Sequence, residues 1–112
     1  MRRGEIWTAA AGSGYAGKAR PVVIIQDDRF DATYSVTLCA FTTDATEAPL
    51  IRIPIQPDDL NGLREPSRLM VDELTTVPRS KLGQRVGRLA DQDMVALTRA
   101  MVVFLGLAGT TA

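Results

Sequence analysis

The segment that most constrains the fold is Pro21-Val22-Val23-Ile24-Ile25-Gln26. A continuous β-branched run favours a pleated strand, and apolar character without alternation calls for burial on both faces. Pro21 is expected only at the first position of that strand, because it has no N–H for a ladder. Further strand signals are short and separated by turn residues. They are Gly4–Ala9, Tyr34–Thr42, Leu50–Ile55, and Ser67–Asp72 continuing with a bend into Glu73–Val77, then Gln84–Leu89. Ile51, Ile53 and Ile55 share one face of the fourth strand, with Arg52 on the other. Ala10–Ala19, with three glycines, reads as a mobile loop; Asp27–Thr33 is a loop or short turn, Pro57–Gly62 is dense turn chemistry, and Arg79–Leu82 is one helical turn. Six or seven short strands at close spacing followed by a helix predict a small, strongly bent barrel or a packed sheet with one helix.

The closing helix starts at Ala90 or Asp91, with Asp91 and Asp93 where the helix dipole favours anions. Met94, Leu97, Met101, Phe104 and Leu105 follow helical spacing and form the expected core stripe, and Gly106 is the expected stop. Val95, Val102 and Val103 fall off that stripe, which predicts either a wide core face or a homodimer contact.

At 112 residues the chain is expected to form a single domain over 1–112. It contains no histidine, which excludes a histidine general base, serine–histidine and cysteine–histidine nucleophile pairs, and histidine metal sites. Cys39 is the only cysteine, so no intrachain disulfide or cysteine zinc cage forms, and a reducing cytoplasm is the expected compartment. No signal peptide or membrane span is expected; the apolar window Met94–Gly109 is interrupted by Thr98 and Arg99 and falls short of the ~20 residues a span needs. The 13 bases and 13 acids cancel but are unevenly placed. Residues 1–26 carry four bases and one acid, residues 27–73 ten acids and four arginines, and residues 74–112 five bases and two acids. Arg79, Lys81, Arg85 and Arg88 are therefore either a solvated face or part of a basic surface that both ends of the chain build together.

Few reaction types remain. Asp27-Asp28, Asp58-Asp59 and Asp72-Glu73 read mainly as surface charge, because neighbours on a strand point to opposite faces. The loop Gly12-Ser13-Gly14-Tyr15-Ala16-Gly17-Lys18 lacks the Gly-Lys-Ser/Thr of a nucleotide-binding loop and precedes its strand instead of following one. Arg20 stands where that loop enters the buried strand. Pro21 biases it toward extended backbone, so its guanidinium is either a salt-bridge partner or a preorganised fork for phosphate or carboxylate. Thr42 and Thr43 end the third strand, where threonine is favoured structurally and where a hydroxyl can also hydrogen-bond an oxyanion.

Arg3-Gly4-Glu5-Ile6-Trp7, the Gly-Ser loop, Arg20-Pro21-Val22-Val23-Ile24-Ile25-Gln26 and Phe41-Thr42-Thr43 together resemble the MazF/PemK toxins of bacterial toxin–antitoxin pairs. Asn61-Gly62-Leu63, Ser67, Asp72-Glu73-Leu74, Thr76-Val77, Leu82, Val86-Gly87-Arg88-Leu89 and the terminal apolar helix continue the resemblance in the same order, over about residues 2–108. It implies a mainly β fold, a small SH3-like barrel with short helices and a C-terminal α-helix, acting as a homodimer. It implies a sequence-specific endoribonuclease that needs no metal or other cofactor, cleaves single-stranded RNA, mostly mRNA, and is covered by a cognate antitoxin. In the family the ribose 2′-OH attacks, leaving a 2′,3′-cyclic phosphate and a 5′-OH. The catalytic arginine and threonine of that pattern fall on Arg20 and Thr42. Ser13, Tyr15, Lys18, Thr43, Arg79, Lys81 and Arg85 are the expected RNA contacts, Tyr15 by stacking on a base. Many family members carry Gly-Ser-Glu-Gln in the loop; here it is Gly12-Ser13-Gly14-Tyr15, so no role of a loop glutamate transfers. The competing readings are a gyrase-inhibiting toxin of the CcdB type and a catalytically silent binding module of the same fold. The helix tail Phe104-Leu105-Gly106-Leu107-Ala108 lacks the tryptophan-containing end of the former.

Overall fold

The computed structural model describes residues 1–10 and 19–109. Their strands are β1 (Glu5–Ala10), β2 (Ala19–Ile24), β3 (Ser35–Thr42), β4 (Arg52–Ile55), β5 (Ser67–Pro78) and β6 (Leu82–Arg88), followed by helix α1 (Asp91–Phe104). They form one antiparallel sheet in the order β4-β5-β3-β2-β1-β6. Short 3₁₀ turns occupy Asp28–Phe30 and Arg79–Lys81. The expected mainly β fold with a terminal helix is the one observed.

The β2 run is central and covered on both faces, as its composition requires. Val23 and Ile25 enter the main core with Ile6, Cys39, Phe41, Ile55, Leu69, Val71, Leu89 and Leu97. Val22 points the other way, into a smaller cluster with Ala9 and Leu38 that Trp7, Ala40, Val77 and Leu82 partly cover. Pro21 is the third residue of β2, not its first. It pairs with Thr8 of β1, while pairing to β3 begins only at Val22–Ala40, so the strand has one neighbour at Pro21 and tolerates it as an edge does.

The sheet curls until the turn after β4 reaches β6. The Arg88 N–H donates to the Leu60 carbonyl at 3.0 Å. Asn61, buried, holds that turn: its side-chain oxygen accepts from the N–H groups of Asp58 (3.1 Å) and Leu63 (2.9 Å), and its amide donates to the Gln56 carbonyl (2.9 Å). Gly62 has φ +68°, and Gly87 lies flush against the Leu60–Asn61 backbone, so two glycines make this approach possible.

Helix α1 is preceded by Ala90 at the capping position, whose side chain makes no capping bond. It ends in a Schellman turn at Gly106 (φ +74°), with the Gly106 N–H donating to Val103 and the Leu107 N–H to Val102. Of the five residues of the expected core stripe, three reach the core and two do not. Leu97 is fully buried and Met94, Ala100 and Met101 pack on the main core. Phe104 and Leu105 are instead 44 % and 54 % exposed.

Candidate active site

Arg20 and Thr42 lie at the same end of the β2–β3 pair. Pairing of the two strands ends there with Val22 and Ala40, and Arg20 and Thr42 each stand two residues beyond that pair. Arg20 is exposed at the start of β2 and pairs with Ala9 on its other side. Thr42 is the last residue of β3 and half-buried; its hydroxyl accepts the Asp44 N–H at 3.1 Å, which turns the chain away from the sheet.

Arg20 lies on the rim of a groove of about 430 Å³. Val22, Leu38 and Ala40 form its floor, with Ala9 and Ala10 on one wall and Glu73, Thr75 and Val77 on the other. Arg20 and Glu73 are the only charged side chains lining it among the described residues. This is the face of the sheet that carries the smaller apolar cluster, turned away from the α1 core. Thr43 lines a separate, smaller cleft with Asp44, Gln56, Ser67 and Arg68.

Glu73 reaches the groove through an irregularity in β5. Leu74 pairs with Cys39, yet Phe41 pairs with Leu69, so β5 spends extra residues opposite Ala40. Such a bulge shifts which residues face which side. Beyond it Leu69 and Val71 enter the main core, while Met70 and Glu73 both line the groove. The bend expected near Asp72–Glu73 is this bulge. Arg52 of β4 grips its edge, with Nε and Nη2 donating to the two Asp72 oxygens (2.9 and 3.1 Å) and Nη2 also to Glu73 Oε2 (3.2 Å). The Arg52 hydrogen bonds hold the Asp72 carboxyl below the usual range. Reading Asp72-Glu73 as surface charge missed this; the only trace in the sequence is a strand too long for one register.

The basic residues expected to touch RNA are distributed. The Arg79 guanidinium donates to the Thr33 carbonyl at 2.9 Å and touches Met1, so it anchors a loop. Arg85 pairs with Glu5 at 3.2 Å, and Trp7 Nε1 donates to the same carboxylate at 3.0 Å. Lys81 is exposed beside Leu82, whose strand partner Ala9 also pairs with Arg20. None of these three lines the groove. Ser13, Tyr15 and Lys18 lie outside the described residues. Among the described residues no group of three or more acids or cysteines is placed to hold a metal ion, and no helix is long and apolar enough to cross a membrane. Burial pushes the Cys39 thiol up to about 12.

Residues 2–105 match the model of the PemK-like, MazF-like toxins of type II toxin–antitoxin systems. The chain belongs to the PemK/MazF toxin family. A probable endoribonuclease MazF of Mycolicibacterium smegmatis is 63 % identical over 97 % of this chain and all of that one. Among solved structures, Mycobacterium tuberculosis toxin MazF-mt6 superposes with a TM-score of 0.76 at 27 % identity, covering 90 % of this chain and 95 % of that one. A mycobacterial endoribonuclease solved with its cognate antitoxin shares the fold, at a TM-score of 0.79 and 23 % identity over 96 % of both chains. Family membership makes the PemK/MazF pattern the frame in which Arg20 and Thr42 are understood.

Proposed function

We propose that this PemK/MazF-family endoribonuclease cleaves single-stranded RNA, mRNA foremost, at Arg20 and Thr42. The chain works as one domain over 1–112, in the cytoplasm, as a homodimer restrained by a cognate antitoxin. The observation that supports this reading is that Arg20 and Thr42 each stand two residues beyond the last β2–β3 pair, at the same end of the sheet, with Arg20 on an open groove.

The chemistry suits a chain without histidine. The substrate supplies the nucleophile, its own 2′-OH, so the protein has to align it in line with the 5′-oxygen and neutralise charge on phosphorus. The Arg20 guanidinium offers paired donors to the phosphate oxygens, and the Thr42 hydroxyl hydrogen-bonds the phosphate or the attacking group. The products are a 2′,3′-cyclic phosphate and a 5′-OH end.

Incubating a long single-stranded RNA with the purified protein and EDTA tests the reading. Cleavage is expected to persist under chelation and to be lost in Arg20→Ala and Thr42→Ala, each with an unchanged melting curve. Near wild-type cutting by a folded Arg20→Ala protein would overturn the assignment. Metal-restored activity after EDTA would overturn the mechanism.

A further inference from the structure

We propose that Glu73 is the proton acceptor for the attacking 2′-OH. The inference rests on the reading of Arg20 and Thr42 above.

Three observations converge on this carboxylate. In-line attack needs a group to take the 2′-OH proton. The chain has no histidine, and residues 10–19, where other family members place a glutamate, contain no acid. Glu73 and Arg20 are the charged side chains of the groove among the described residues. They project from β2 and β5, the strands that flank β3 and so run about 10 Å apart, with the groove between them open to a phosphodiester. Glu73 shares its side of β5 with Thr75 and Val77 and stands at the β5 bulge, and bulges beside active sites commonly re-aim a side chain. Arg52 Nη2 donates to Glu73 Oε2 at 3.2 Å, which tethers one oxygen of a carboxylate that lines the groove. The charged groups facing Glu73 are thus Arg52 of β4, Asp72 beside it on β5, and Arg20 across the groove.

In the step, the 2′-O–H proton passes to a Glu73 oxygen while the 2′-oxygen lone pair forms the new bond to phosphorus. Arg20 holds the non-bridging oxygens as the P–O5′ bond breaks, its electron pair leaving on the 5′-oxygen. Water protonates that oxygen, and the resulting hydroxide takes the proton back from Glu73, so the enzyme ends as it began.

The test is the pH–rate profile of single-turnover RNA cleavage by the full chain, with binding of a non-cleavable 2′-O-methyl RNA measured in parallel. Glu73→Gln is expected to lower the rate about 100-fold or more and to abolish its rise with pH at the acid side, with RNA affinity changed less than about threefold. Glu73→Asp is expected to lose about tenfold and keep the acid-side rise; it decides the matter if Glu73→Gln fails to fold. A Glu73→Gln rate within about threefold of wild type, a preserved acid-side rise in that variant, or a loss confined to affinity or to the choice of cleavage site would overturn the proposal. An unchanged Glu73→Asp rate would do the same. If Arg20→Ala is inactive while Glu73→Gln cuts normally, this inference alone fails; if Arg20→Ala cuts normally, the reading beneath it fails.

Discussion

Single residues set the tolerances of this fold. A Cβ on Gly87 would lie 2.7 Å from the carbonyl carbon and oxygen of Asn61 and closer still to the Leu60 oxygen, all backbone atoms with no rotamer to yield. Gly87→Ala is therefore expected to cost about 1–3 kcal/mol in a urea melt, as overpacking does. Charge adds a pH dependence. Arg52 holds the Asp72 carboxyl low. Burial pushes Glu5 up, but the Arg2 N–H, the Trp7 indole and Arg85 together outweigh it and leave it lowered. Asp93 moves the other way, raised by burial and by Asp58. A lowered folded-state carboxyl stabilises above its unfolded value and loses that contribution as pH falls through the folded one. The melting temperature is thus expected to fall below about pH 4, with Asp93 offsetting part of the loss and Asp72→Asn giving a shallower fall. A flat profile through this range would show that these pairs do not matter to stability.

The elements show where local pattern succeeds. The run beginning at Pro21 lies in a doubly covered strand, which starts two residues earlier and ends at Ile24 instead of Gln26; the alternation of Ile51, Ile53 and Ile55 held, and Gly106 ended the helix. Helical periodicity, however, marks an apolar stripe without saying how far a partner surface extends beneath it. Leu97 is fully enclosed and Phe104 is 44 % exposed, although both lie on the same stripe. Leu97→Ala is expected to cost about 2–5 kcal/mol, as buried leucines do. Phe104→Ala, measured at a protein concentration low enough to favour monomer, is expected to cost under about 1 kcal/mol. Equal costs would mean that the end of the helix is covered in solution.

Among the described residues, exposed apolar side chains gather at the end of the helix. Val103, Phe104, Leu105 and Leu107 are 44–66 % exposed at the end of the helix and on its tail, and Val95 is 49 % exposed on its first half, a patch of the kind that marks partner sites. A homodimer through this face is expected, and light scattering on Val103→Glu/Leu105→Glu should report a folded monomer where wild type gives twice that mass. A wild-type monomer at micromolar concentration would refute it. Much of the rest was legible in the chain itself. The strand-forming runs, the helix limits, the lack of histidine and the Arg20–Pro21 junction are written in consecutive residues, because backbone preference and side-chain alternation act over a few positions. Tertiary structure alone decided that Arg20 and Thr42 stand at the same end of the β2–β3 pair, the engagement of Arg79 and Arg85 by Thr33 and Glu5, and the place of Glu73 on the groove. Each depends on register, on the β5 bulge or on the curl that brings distant strands together, and register is settled by the joint burial of many side chains instead of by any one segment.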